Sequence, residues 1–284
     1  MDIYLLEAII NGLLLGGVLA LLALGLNLIF GVIDVVWIAY ADIVMCGMYV
    51  IYFLYAQYGV PLPLACLIAI VAMAAFGVVV HLLIIAPVLN SPPLNQLLAT
   101  GGLLFFLQSF ATLLFGTEFR NIGVRLPILE IGTIYISFAR LVAFALGLVG
   151  AVALYFFLKR TYIGTAIRAI AQDRDIVGLM GVDQRRIYLV TSAIGGALAR
   201  LAACLLAMQY DVHPFIGNTI VPDIFMICVL GGLGNMIGGF IASFIISQII
   251  AIGGYYSNTE LSYVLAFTLF IILMFVRPRG LFTR

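Results

Sequence analysis

The sequence predicts an all-α, polytopic integral membrane protein, and three observations support this fold class. Of the 284 residues, 65% are hydrophobic and 9% are charged. The mean hydropathy of +1.26 is too high for a soluble domain, which needs a charged surface. The apolar runs approach the roughly 20 residues that a helix needs to cross a bilayer, and they lack the alternation of barrel strands. We therefore expect a single transmembrane domain over residues 1–284.

Nine apolar segments are candidate membrane spans. They cover about residues 5–29, 37–56, 62–86, 96–116, 136–158, 187–208, 219–233, 236–254 and 261–276. The two segments within 219–254 are short and rich in glycine, so the predicted count ranges from eight to ten. The first segment is longer than the apolar core of a signal peptide, and no Lys or Arg precedes it. We therefore predict that it is retained as a span.

The distribution of positive charge predicts the orientation of these spans. The loop at about 159–186 and the tail from 277 to 284 are both rich in Lys and Arg. Positive residues stay on the cytoplasmic side, and an even number of predicted spans separates the two regions. This places the C-terminus in the cytoplasm, and the N-terminus and the 117–134 loop outside. The 86–95 loop should also be cytoplasmic, but it carries no positive charge to support this.

Several functional classes are not predicted. The net charge of +1 comes without any dense basic run, so we expect no nucleic-acid partner. The four cysteines lie in apolar runs without CxxC spacing, which is typical of small buried residues rather than metal ligands. His81 and His213 belong to no catalytic constellation, and no HExxH or paired intramembrane Asp motif indicates an enzyme. We therefore predict no catalytic residue and no metal site.

The most polar segment of the chain is GTAIRAIAQDRDIVGLMGVD, residues 164–183. It predicts two short helices: Ile167, Ile170 and Ala171 share one face of the first, and Asp173 caps the second. An amphipathic helix held at the cytoplasmic face of a membrane is typical of a docking element. A helix lying among the lipid headgroups is the alternative, because its Arg side chains would also suit anionic lipid.

Part of this segment resembles the cytoplasmic coupling loop of the permease subunits of ABC importers, in the branched-chain amino-acid, LivH-type family. The matching residues are Gly164, Ala166, Arg168, Ala169, Ala171, Asp173, Leu179, Met180 and Gly181. The family pattern recurs in GLNLIFGV (25–32), in Thr100, Gly102, Leu103 and Gln108, in VLGGLGN (229–235) and in RPRGLF (277–282). The resemblance therefore covers nearly the whole chain in order.

The resemblance implies a transport permease of a bacterial or archaeal cytoplasmic membrane. It would pair with a homologous second permease, as a heterodimer, on two ATP-binding subunits that hold ATP–Mg. A periplasmic or surface binding protein would deliver the substrate. No GxxxxGK[ST] phosphate loop occurs in the chain, so we expect the chain itself to hold no cofactor and to hydrolyse no ATP. The implied ATPase-coupling residues are Gly164, Arg168, Asp173, Arg174 and Gly181.

The start of the second span departs from the family pattern. The family has a stretch similar to Asn-Phe-Ala-His-Gly there, whereas this chain has Trp37, Tyr40 and Asp42. The two aromatic residues either anchor the helix at the membrane interface or line the substrate pathway and suit an apolar or aromatic cargo. The resemblance implies branched-chain or other hydrophobic amino acids, or similar small organic solutes, as the cargo.

The run GGLGNMIGG, residues 231–239, interrupts two apolar segments. Interrupted helices in transporters flank substrate paths, so Gly231, Gly232, Gly234 and Asn235 are pathway candidates. Close helix packing is an equally open interpretation of these glycines. The polar groups of Asn27 and Gln108 are expected to bond to neighbouring helices.

Two further ionisable residues, Arg200 and Asp223, lie within predicted spans. Each costs at least roughly 2.5 to 3.5 kcal/mol to insert, so each is a functional hypothesis. Their predicted depths of roughly 12 and 8 Å suggest an ion pair or a shared polar network. Alternatively, the partner permease or backbone carbonyls satisfy each one separately. A different class of protein, an ion-coupled secondary transporter or channel, would use Asp42, Asp223 and Arg200 as coupling residues.

Overall fold

The computed structural model describes residues 3–124, 128–131, 134–277 and 280–282. Within these ranges, seven helices are long and apolar enough to cross a membrane, judged by length and composition. The apolar helix Ile216–Gly231 is shorter. The predicted helical membrane fold is thus confirmed, while the count of nine crossings stays a prediction.

Twelve helices occur in the described part of the chain. They are α1 (Ile3–Ile33), α2 (Tyr40–Ile51), α3 (Leu62–Val80), α4 (Ala86–Val88), α5 (Pro93–Phe115), α6 (Phe138–Arg160), α7 (Tyr162–Gln172), α8 (Arg174–Leu179), α9 (Gln184–Ala207), α10 (Ile216–Gly231), α11 (Met236–Tyr256) and α12 (Thr259–Val276). A π-helical turn, Tyr52–Gln57, continues α2, and a second one, His81–Ile85, joins α3 to α4. Every predicted apolar segment overlaps one or more of these elements.

One local feature departs from the predicted all-α fold. Strands β1 (Ile128–Ile131) and β2 (Ile134–Ser137) form an antiparallel hairpin with Ile128 opposite Ser137. Most of this region lies in the predicted outer loop 117–134. Two Ile-rich runs separated by two residues are the local signal that could have predicted the hairpin.

The long helices run between two ends of the bundle. The first end, called the hairpin end, carries β1, β2 and the loop 208–215, which is tied to Arg120 by a backbone bridge to Val212. The opposite end, called the coupling end, carries α7, α8 and the loop 34–39 between α1 and α2. Successive long helices alternate in direction between these ends.

Helix α1 is the centre of the bundle. Its most apolar window is 83% buried, whereas the corresponding windows of α5, α6 and α12 are 28%, 22% and 11% buried. Helices α6, α9, α10 and α11 all pack against α1. The outer helices therefore present wide apolar faces, as expected of surfaces that meet lipid or another membrane subunit.

Small residues allow helices to approach closely in the bundle. A Cβ added at Gly77 of α3 would lie 2.7 Å from the Ser192 carbonyl oxygen, and one added at Gly196 of α9 would lie 2.7 Å from the Met73 carbonyl oxygen. Helices α3 and α9 therefore approach each other at the level of their backbones. Such contacts are the usual basis of helix association in membranes.

Candidate functional site

The coupling loop begins with a sharp corner between α6 and α7. Thr161 caps α7: its Oγ1 accepts a hydrogen bond from the Gly164 N–H at 3.0 Å and donates one to the Phe157 carbonyl at 2.7 Å. A Cβ added at Gly164 would overlap the backbone of Phe157 and Leu158. The corner thus requires glycine at 164 for steric reasons.

Helix α7 has one buried face, as the sequence predicts. Ile167 and Ile170 are 0% and 1% exposed, and Arg168 faces outward. Ala171, which the sequence places on the same face as Ile167 and Ile170, is exposed. It lies in the last turn of α7, beside the C-cap residue Asp173, where the helix reaches the surface.

Helix α8 is tied to the loop between α1 and α2. Arg174 Nη2 lies 3.2 Å from Asp34 Oδ2, and the Gln184 side chain donates a hydrogen bond to the Arg174 carbonyl at 2.6 Å. Asp34 has a φ of +60°, a conformation that Asp tolerates better than most residues. Asp34 was not predicted from the sequence, because its partner Arg174 lies far away in the chain.

Gly181 lies in the turn between α8 and α9. This residue has a φ of +79°, and a Cβ added to it would have no atom within 4 Å. Backbone conformation, not crowding, therefore favours glycine here. Asp183 then caps α9 by accepting hydrogen bonds from the backbone N–H groups of Arg185 and Arg186.

The outward surface of the coupling loop combines apolar and cationic side chains. Tyr162 and Met180 are each 78% exposed, and the Arg168 side chain lies on the same loop. These exposed side chains are the candidates on this loop for contact with another subunit.

Asp42 belongs to a hydrogen-bond network in the interior of the bundle. It is fully buried in α2, and the Gln108 side chain of α5 donates a hydrogen bond to its Oδ1 at 3.0 Å. Gln108 also donates to Asn218 Oδ1 of α10 at 2.8 Å. The second Asp42 oxygen has no hydrogen-bond partner among the described residues. Asn218 was not identified from the sequence, since a single Asn gives no sign of its neighbours.

Trp37 and Tyr40 lie inside the bundle. Each is 1% exposed, and their rings meet edge to face with centroids 6.2 Å apart. The Tyr40 hydroxyl donates a hydrogen bond to the Gly195 carbonyl at 3.3 Å. This burial is inconsistent with anchoring at the membrane interface. Trp37 instead borders a small internal cavity of about 50 Å³.

The glycine-rich run forms a tight turn between α10 and α11 at the coupling end. Gly232 and Gly234 have positive φ angles of +95° and +81°, and Gly231 packs against the backbone of α11. Asn235 caps α11 and donates a hydrogen bond to the Phe282 carbonyl at 3.0 Å. The Asn27 side chain of α1 accepts a hydrogen bond from the Gly234 N–H at 3.1 Å. These contacts favour the packing interpretation of the run.

The predicted ion pair between Arg200 and Asp223 is absent from the described structure. Arg200 is fully buried, and none of its guanidinium nitrogens has a hydrogen-bond partner in the part of the chain that is described. A Cβ added at Gly47 of α2 would lie 2.7 Å from Arg200 Nη1, so the guanidinium faces α2. Asp223 instead faces a cavity beside α1 and α12. Depth in the membrane was predicted from sequence, but the direction in which each side chain points was not.

That cavity opens at the hairpin end and has a volume of about 350 Å³. Its lining includes His213, whose ring centroid lies 4.6 Å from that of Phe119. Burial lowers the pKa of His213 below its usual range, although Asp211 acts in the opposite direction. His213 is therefore mainly neutral near pH 7.

Comparison with known proteins identifies the family. A protein-family model, described as the permease component of the branched-chain amino acid transport system, matches residues 8–274 of this chain. The chain belongs to this family of ABC transport permeases. The permease is thus a multi-pass protein of the cytoplasmic membrane, and the predicted resemblance is confirmed.

Individual relatives match the permease over most of its length. The high-affinity branched-chain amino acid permease LivH of Escherichia coli K12 is 30% identical over 99% of this chain and 96% of the relative. BraD of Pseudomonas aeruginosa is 30% identical over 98% of this chain and 96% of the relative. A probable LivH of Methanocaldococcus jannaschii is 25% identical over 83% of this chain and 77% of the relative. These relatives are transport permeases and not enzymes.

A solved structure shares the fold. PsaBC from Streptococcus pneumoniae, in complex with Fab, superposes with a TM-score of 0.52 at 15% identity, covering 95% of this chain and 91% of that chain. At this identity the likeness concerns the fold alone.

Proposed function

We propose that this permease, as a single transmembrane domain over residues 1–284, forms half of the translocation path of an ATP-driven importer. Its cargo is a branched-chain or other hydrophobic amino acid, or a similar small organic solute. The relatives, which are named as branched-chain amino acid permeases, support this cargo class. The observation that carries the coupling role is the α7–α8 loop, with its buried inner face and its exposed Arg168, Tyr162 and Met180.

The proposed assembly needs other subunits. A homologous second permease completes a heterodimer, two ATPase subunits that bind ATP–Mg dock at the coupling end, and a periplasmic or surface binding protein delivers cargo at the hairpin end. The wide apolar faces of α5, α6 and α12 leave room for a partner permease and for lipid.

The proposed topology has nine crossings, with the N-terminus outside and the C-terminus in the cytoplasm. Helix α1 begins at the hairpin end, and the last described residues lie at the coupling end, where Leu281 donates a backbone hydrogen bond to the Leu230 carbonyl at 2.8 Å. The Lys and Arg residues of the coupling loop support a cytoplasmic coupling end.

The mechanism follows from how the loop is attached. Closure of the ATPase pair would displace α7, and the glycine corner at Gly164 passes that displacement to α6. The Arg174–Asp34 contact passes the displacement of α8 to the end of α1. Since packed helices move as bodies rather than bending continuously, a small shift at the loop would rock the spans.

An ion-coupled transporter is the alternative function. The buried and incompletely bonded carboxylate of Asp42 is the observation that favours it, because such groups mark ion pathways in membranes. Membership of the ABC permease family is the stronger observation and favours coupling to ATP.

Co-purification tests the proposed coupling. The permease is extracted under mild conditions with its candidate ATPase and second-permease subunits, as wild type, as Arg168→Glu and as Arg185→Glu. Both arginines are exposed at the coupling end, but Arg185 lies beyond the two short helices and serves as the matched control. We expect the ATPases to be lost only from Arg168→Glu. Absence of any ATPase from the wild-type preparation would overturn the proposal.

A further inference from the structure

The cavity at the hairpin end has the size of a small-molecule site. Its volume of about 350 Å³ falls at the lower end of the range of ~300–1,000 Å³ for such sites. It lies between α1, α10, α12 and the loop that follows α9. None of the functional roles proposed above involves this cavity.

One wall of the cavity is apolar. Leu15, Leu19 and Leu22 line it from α1, and their spacing of four and three residues places them on one face of the helix. Tyr210 and Tyr263 also line the cavity with their aromatic rings. This wall would accept a branched aliphatic group.

The other wall carries a buried carboxylate without a partner. Asp223 is 8% exposed and lines the cavity, and its Oδ1 has no hydrogen-bond partner among the described residues. It lies seven residues into α10, or about 10 Å from the start of the helix. An ionised carboxylate can only accept hydrogen bonds, and its burial is costly unless a cation or several donors compensate for the charge.

The described lining of the cavity does not supply that cation. It contains no Lys or Arg. His213 lines the cavity, but burial lowers its pKa, so it is mainly neutral near pH 7. Arg140, on α6, donates its hydrogen bond to Asn11 at 2.8 Å and does not line the cavity.

We propose that this cavity binds the ammonium group of a small organic amine, with Asp223 as its counter-ion and the α1 leucines around its apolar part. The ammonium group would donate hydrogen bonds to the unpartnered carboxylate, and the tyrosine rings favour a cation nearby. The binding itself stands on the geometry of the cavity. Its role as the outer site that first receives the amine end of the cargo rests on the proposed function.

The test measures ligand binding to the full-length permease, co-purified with its partners and placed in nanodiscs of neutral lipid. The probe is 3-methylbutylammonium, and 3-methylbutanol serves as the uncharged probe of the same shape. Saturation-transfer NMR gives both dissociation constants. We expect the wild type to bind the ammonium about tenfold or more tightly than the alcohol, because the hydrogen bonds to the carboxylate are charge-assisted.

Two matched substitutions locate the site. Asp223→Asn should weaken ammonium binding about tenfold or more and leave alcohol binding unchanged. Glu260→Gln should change neither by more than about twofold, because Glu260 is an exposed acid in the first turn of α12 and does not line the cavity. If Asp223→Asn does not fold, Leu15→Trp fills the cavity and should abolish binding of both probes.

Three results would overturn the proposal: no ammonium binding by the wild type, equal binding of the two probes, or unchanged ammonium binding in Asp223→Asn. If Leu15→Trp is used in place of Asp223→Asn, unchanged ammonium binding in that variant is the third result. The ATPase co-purification test does not involve the cavity, so the two proposals fail separately. A preparation that retains its ATPases but does not bind the ammonium contradicts only the cavity site. A preparation that binds the ammonium but has no ATPases contradicts only the proposed function.

Discussion

Gly164 shows how a single residue sets the position of the coupling loop. The hydrogen bond from its N–H to Thr161 begins α7, and its missing side chain lets α7 turn directly beneath the last residues of α6. In the proposed importer this loop transmits force, which needs a fixed attachment, and the corner joins α6 to α7 without a long linker. The family resemblance identified this glycine, but only the structure shows the steric reason for it.

Replacing Gly164 with alanine should therefore disturb the corner. The added Cβ would overlap the Phe157 and Leu158 backbone, and such overpacking costs about 1–3 kcal/mol. We expect a lower unfolding temperature and a smaller yield of bound ATPase. Gly254→Ala is the matched control, because a Cβ there has no atom within 4 Å. Equal behaviour of the two variants would show that the corner does not need glycine.

At the scale of elements, α8 and the α1–α2 loop form a second attachment. The Arg174–Asp34 pair joins them at 3.2 Å, with 37% and 63% of the two side chains exposed. A pair this exposed contributes little to stability, typically about 0–1 kcal/mol. Its value would lie in connecting the coupling loop to α1, the most buried helix of the bundle.

A double-mutant cycle tests this connection. Asp34→Asn keeps a residue that tolerates the positive φ while removing the charge, and Arg174→Gln removes the other partner. We expect each single variant to retain bound ATPase and its unfolding temperature but to transport less cargo per ATP hydrolysed, with no further loss in the double variant. Arg186→Gln breaks the exposed Arg186–Asp183 pair of 2.9 Å in the same loop and should have no effect. Losses that add in the double variant would contradict a shared role.

The elements also show what sequence alone can predict. Long apolar runs predicted the positions of the helices, because the length of a span is fixed by the bilayer. The buried face of α7 followed from its periodicity at Ile167 and Ile170. Rotation about the helix axis is set by packing between distant segments, so the Arg200–Asp223 pair was wrongly predicted, and the Asp42–Gln108–Asn218 network and the Asp34 contact were missed.

At the scale of the whole molecule, the two ends of the bundle differ in character. The coupling end carries the cationic loop and the glycine turn, and the hairpin end carries β1, β2 and the cavity with Asp223. Helix α1 connects the two, since its last turn lies near Asp34 and its middle turns line the cavity. This arrangement suits a protein that receives cargo at one end and energy at the other.

Transport by the reconstituted assembly tests the central claim, that ATP drives this permease. Proteoliposomes holding the permease and its partners are supplied with the binding protein and radiolabelled leucine, with or without ATP at the coupling end and with or without an uncoupler. We predict uptake that requires ATP and that persists when the ion gradient is collapsed. Uptake that continues without ATP and stops with the uncoupler alone would contradict this account and assign the buried carboxylates to ion coupling.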